Sequence, residues 1–186
     1  PKRTDLAEHH YRSAIEEGIG AVAYQKLTRL LRSQRRFREL AELLEQQFAV
    51  ASETRERIEL GLSLGEIYAN ELEQFDTARD HLQLAASDAR QVFQNRLAVG
   101  YLTRALALTP PGNDAERYDL LLARQNIYHL LGERKAQAAD LAELARLAIS
   151  LQDLRKPHDR SSLGPLKLDE GGHEPLVHVA CGEVIA

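Results

Sequence analysis

Six basic residues stand close together at Lys26, Arg29, Arg32, Arg35, Arg36 and Arg38. The spacings of three and four from Lys26 to Arg36 put positive charge along one helix face, which suits an acidic peptide or a phosphate backbone. Aromatic residues are almost absent from this run and no DNA-reading motif accompanies it, so nucleic acid is not the expected partner. The plainer expectation is a solvated face that pairs with the acidic stretch from Glu53 to Asp80.

Other residues with reactive or ligating groups are poorly arranged for chemistry. His9 and His10 are adjacent, so on a helix they point in different directions and cannot chelate one metal together; they read as surface residues. His173, His178 and Cys181 have ligand chemistry, but a structural zinc site needs four ligands at tighter pair spacing. Cys181 is no better as a nucleophile, because nothing fixes a base beside it. Carboxylates are numerous, yet on helices most are solvated or form i,i+4 pairs, and without a pocket none is poised for acid–base work. No catalytic residue, metal or cofactor is therefore expected.

The elements that carry these groups are helices. Gly and Pro are scarce between about 21 and 109, while Leu, Ala, Glu, Arg and Gln abound. Within this background a small residue is followed four positions on by a bulky one and three further on by another small one. The copies are Ala7–Tyr11–Ala14, Ala78–Leu82–Ala85 and Ala98–Leu102–Ala105. Each puts three side chains on one helical face and leaves room for a neighbouring helix to approach closely.

The pattern predicts eight helices: 4–17 with Thr4 as N-cap, 21–34, 36–50, one capped by Ser52 or Thr54 that reaches Asn70, one from Phe75, 95–108, 114–131 and 134–152. Gly18-Ile19-Gly20, Pro110-Pro111-Gly112 and Gly132 supply the stops. The stretch 76–94 contains no Gly or Pro and reads as one long helix that closes one hairpin and opens the next, with Ser87-Asp88 as the place for a break. Short connections make antiparallel hairpins that bury each other's open faces, so the expected fold is all-α, an alpha-alpha superhelix.

At 186 residues, 44% hydrophobic and 28% charged, the chain can bury a core. A net charge of −4 gives it no basic field for nucleic acid or an anionic membrane. No apolar run approaches the roughly 18 residues of a membrane span and the start has no signal-peptide character, so a cytoplasmic protein is expected. The single cysteine excludes an internal disulfide framework. Methionine is missing even at position 1, which points to a removed initiator or a piece of a longer chain.

The character changes at about Asp153. Three of the six prolines and four of the eleven glycines follow it, and helical periodicity is lost. The domain division is thus 1–152 for the helical repeats and 153–186 for an irregular tail, in which Leu176–Val179 is the one strand-like segment. A separate extension, a sequence junction or a frame error would each explain the tail.

Leu64, Gly65, Tyr68, Phe75, Ala78, Leu82 and Ala85 resemble a tetratricopeptide repeat. Tyr24, Leu27, Leu31, Phe37, Leu40 and Leu44 keep the same spacing, with Thr28 where the glycine would stand. Ala98, Leu102, Ala105 and Pro110 supply a second half only, Tyr128 and Gly132 mark a fourth copy, and Ala7–Tyr11–Ala14 resembles a truncated leading half. The array covers about 150 of the 186 residues. It departs from the family pattern at Gly61, where the motif has tryptophan, at Leu72, which reads as an insertion, and in the short interval from 78 to 98. The segments 101–110 and 116–144 are similar to the helical region downstream of the ATPase module in large bacterial STAND-type signalling regulators, which often carry adenylate-cyclase-like or transcription-factor modules. This chain has no G-x4-G-K-[ST] phosphate loop of its own.

The resemblance implies core packing for Tyr24, Phe37, Tyr68, Phe75, Tyr101 and Tyr128. It also implies a concave groove lined by Gln25, Arg29, Arg32, Glu66, Asn70, Asn126 and His129. Arg29 and Glu66 stand where the family's chaperone-tail clamp wants asparagine, so that specialisation is not expected. The implied function is a non-enzymatic scaffold that binds a peptide or partner helix. The alternative is a regulatory arm of a signalling ATPase or cyclase that docks on another domain of its parent protein.

Overall fold

The computed structural model describes residues 2–18 and 20–160, and every regular element among them is a helix. In chain order these are α1 (Lys2–Glu16), α2 (Gly20–Ser33), α3 (Phe37–Val50), α4 (Thr54–Asn70), α5 (Phe75–Gln91), α6 (Asn95–Leu108), α7 (Asp114–Leu131) and α8 (Arg134–Arg160). Each packs chiefly on the helix before it and the helix after it, which makes an alpha-alpha solenoid.

The turns explain how helices with so few glycines are kept apart. Where a tight turn needs left-handed backbone, Gly18 and Gly132 supply it at φ 78° and 71°, but Arg35, Glu73 and Phe93 adopt φ 57°, 55° and 60° without being glycine. Phe93 overturns one expectation. The long helix does not break at Ser87-Asp88 but ends at Gln91, because Asp88 is buried and held by Arg57 of α4 at 3.0 Å. At the α4–α5 turn Glu73 takes left-handed backbone, and Leu72 folds back against the core. Thr4 lies inside α1 rather than capping it, and α4 begins after Glu53 with no side-chain hydrogen bond at its cap. α8 runs on through Pro157 to Arg160, past the point where periodicity fades. The rest of the expected tail, with His173, His178, Cys181 and the strand-like 176–179, lies outside the described residues.

The small residues sit where backbones meet. A Cβ on Gly65 would come within 2.9 Å of Leu82 Cγ, and one on Gly61 within 3.2 Å of Ala85 Cβ. Tryptophan at position 61 would not fit so close an α4–α5 crossing. Ala78, Leu82, Ala85, Ala98, Leu102 and Ala105 are all buried, at 4% exposure or less. The copy on α1 is only half-buried.

Two apolar clusters result. One gathers Leu27, Leu31, Leu40, Leu44, Leu64 and Ile67 of α2 to α4, and the other runs from Leu82 through Leu102 and Leu120 to Leu147 of α8. Burying a leucine contributes about 2 kcal/mol and a surface ion pair about 0.5 kcal/mol. The clusters therefore hold the stack, and charged side chains add links between successive helices, as Arg57 to Asp88 does, and between alternate ones, as Arg104 to Glu66 does at 3.2 Å. Tyr68 and Tyr101 are buried and Tyr24, Phe37 and Tyr128 half-buried, as core packing requires. Phe75 departs from that expectation: it opens the first turn of α5 at 47% exposure.

A cleft between a basic and an acidic wall

Helical spacing builds the walls of the main cleft. Gln25, Arg29 and Arg32 recur at four and three on α2, and Glu56, Glu59, Ser63, Glu66 and Asn70 recur at three and four on α4. Each set therefore occupies one stripe. Between them α3 supplies Leu44 and Gln47 to the floor and α4 adds Leu60, and the open cleft has a volume of about 510 Å³. Past Arg32 the depression continues for about 220 Å³ beside Phe37, Glu66, Ile67, Asn70 and Glu71.

Five of the seven expected groove residues are thus brought together: Gln25, Arg29, Arg32, Glu66 and Asn70. Asn126 and His129 are not among them. They are exposed on α7, which packs on α6 and α8, where Asn126 Oδ1 accepts from Gln125 Nε2 at 2.6 Å and His129 Nδ1 lies 3.4 Å from Gln137 Nε2. Glu56, Glu59 and Ser63 were not expected in the lining. The three-four spacing that runs through Glu66 and Asn70 was the signal for them.

The electrostatics of the basic run differ from expectation. Arg36 does not turn to the acidic stretch 53–80; its guanidinium bridges Glu8 of α1 and Glu39 of α3, with Arg12 joining both carboxylates. Hydrogen bonds from Arg36 hold both carboxyls below the usual range. Lys26 lies over the Tyr11 ring, 5.9 Å from its centroid. Among the described residues Arg29 and Arg32 make no ion pair. They face Glu56 and Glu59 across the cleft without reaching them, and Glu59 pairs instead with Arg55 on its own helix at 3.2 Å.

Behind the floor lies a different cluster. Tyr68 donates to Glu45 Oε1, and its ring stacks on His81 with centroids 5.6 Å apart. His81 also meets the Phe48 ring edge-on, its Nε2 lies 3.7 Å from Glu45, and its buried Nδ1 has no partner. Burial pushes the Tyr68 phenol up and the His81 imidazole down. These perturbed groups face the α3–α4–α5 packing, so their shifts reflect burial within the stack.

A second cleft of about 550 Å³ lies among α6, α7 and α8. There Arg124 donates twice to Asp140, at 2.6 and 2.9 Å, and once to Thr103 at 2.9 Å. Among the described residues no group of three or more His, Cys, Asp or Glu is placed to hold a metal. His9 and His10 are both exposed, with ring centroids 6.1 Å apart. No helix of the described residues is long and apolar enough to cross a membrane. In comparisons with known proteins, no family model and no curated protein matches the chain.

Proposed function

We propose that this chain is a non-enzymatic, tetratricopeptide-like scaffold that takes a protein segment in the cleft between α2 and α4. The observation that carries the reading is the pair Arg29 and Arg32, two exposed cations that line a 510 Å³ cleft and make no ion pair among the described residues. A guanidinium that serves the fold is normally paired when buried, as Arg124 is; two that wait unpaired in a cleft are free to orient a ligand. The hairpin solenoid with its Gly65–Leu82 contact supports the repeat reading, and a regulatory role in a bacterial cytoplasmic protein is proposed with it.

The test is selection of a random peptide library on the full chain. Reversing both charges, Arg29→Glu with Arg32→Glu, is expected to weaken the selected peptides at least tenfold while helical circular dichroism is unchanged, since both side chains are exposed. Selected peptides that bind the double variant as well as the parent would remove this cleft from consideration.

A further inference from the structure

The two walls of the cleft carry opposite charge, and that constrains what lies between them. Arg29 and Arg32 form the α2 side and Glu56 and Glu59 the α4 side, Glu59 sharing its charge with the exposed Arg55; Arg32 and Glu66, the latter paired with Arg104, continue the same polarity into the adjoining depression. A ligand of one charge sign would satisfy one wall and be repelled by the other. The floor adds a second constraint. Its apolar part is small, two leucines of which Leu44 is 4% exposed and Leu60 is half-buried, while Gln25, Thr28, Gln47 and Ser63 offer amide and hydroxyl groups. An amphipathic helix arrives with its backbone satisfied and seeks an apolar seat, whereas an extended chain brings unpaired N–H and C=O groups that such side chains can meet.

In an extended chain successive side chains point to opposite sides. Resting on the scaffold reading above, we infer that the cleft selects an extended peptide in which acidic and basic residues alternate, acids toward α2 and bases toward α4. Same-side residues of the peptide repeat every ~6.7 Å and the two arginines rise ~4.5 Å along their helix, a mismatch that long flexible side chains absorb.

Two capped hexapeptides of identical composition test this on the full chain by chemical-shift titration at low salt: one alternates Glu and Lys, the other places three Glu before three Lys. The alternating isomer is expected to bind about tenfold more tightly, and the preference should shrink as salt is raised. Arg29→Glu with Arg32→Glu should abolish the preference. Adding Glu56→Arg and Glu59→Arg should restore it, because a one-residue slip of the peptide presents each charge to the exchanged wall. Equal affinity of the two isomers, no binding of the alternating one, or no recovery in the wall-exchanged variant overturns the inference. Library-selected peptides that lack alternation but still depend on Arg29 and Arg32 would overturn it too, and would leave the scaffold reading standing.

Discussion

The two clefts are alike in size, about 510 Å³ between α2 and α4 and 550 Å³ among α6, α7 and α8, and both contain arginine at helical spacing from their helix neighbours. They differ in what the arginine touches. Arg124 is 16% exposed, pairs with an Asp140 that is 5% exposed, donates to Thr103 and lies over the Tyr128 ring at 5.8 Å. Its chemistry is used up inside the molecule. Arg29 and Arg32 are exposed and without an ion pair among the described residues. The first cleft thus presents two exposed cations without an ion pair among the described residues, where the second presents one, the half-buried Arg117.

The sharpest way to break this contrast is to remove the arginines. Arg124→Ala strands a buried carboxylate, so a loss of about 3 kcal/mol in urea unfolding is expected. Arg29→Ala and Arg32→Ala should each stay within about 0.5 kcal/mol of the parent. Similar losses at all three positions would erase the distinction between structural and available cations.

A second pair of substitutions separates the tight seam from the open face. Gly65→Ala gains helix propensity but drives a methyl into Leu82, and a net loss of about 1 kcal/mol is expected. Gly100→Ala in α6 meets nothing within 4 Å and should gain about 0.8 kcal/mol. Thermal melts of the two variants should move in opposite directions.

Acid gives the smallest of the three effects. His81 has its pKa lowered by burial, so below its ordinary value of 6.5 the unfolded chain binds the proton more readily than the folded one. Stability is full above that value and is lost as pH falls through the window toward the lowered folded pKa. Glu45 opposes the shift from α3 and Asp80 from α5. His81→Phe, which retains an aromatic ring beside Tyr68, should flatten this part of the stability profile; an unchanged slope would clear His81 of the effect.

How much of this was legible in the sequence depended on distance along the chain. Helix positions followed from local periodicity, and the small residues at 78, 85, 98 and 105 were correctly placed at helix contacts. The destination of Arg36 was not, because Glu8 lies on another helix and no local pattern selects it over Glu39's neighbours or the acidic stretch. The same applies to Asp88, a local helix breaker in appearance and a buried partner of Arg57 in fact. Phe75 fitted a repeat position, yet the first turn of a helix beside a surface turn leaves a side chain in solvent. Part of the cleft was read from the repeat resemblance on α2 and α4, including Glu66 and Asn70; Glu56 and Glu59 continue the same three-four spacing, but their facing of Arg29 and Arg32 appears only when α2 stands opposite.

The sequential packing of α1 to α8 also has a kinetic consequence. Most backbone neighbours are close in the chain, so little loop-closure entropy opposes their meeting, and folding should fall in the microsecond-to-millisecond range of helical proteins. The same linear order lets the stack come apart from its ends while the middle, where Gly61 and Gly65 are pressed against α5, persists. The cleft between α2 and α4 lies next to that durable segment on one side and toward the N-terminal end on the other, so transient fraying of α1 and α2 would move its basic wall and leave its acidic wall in place.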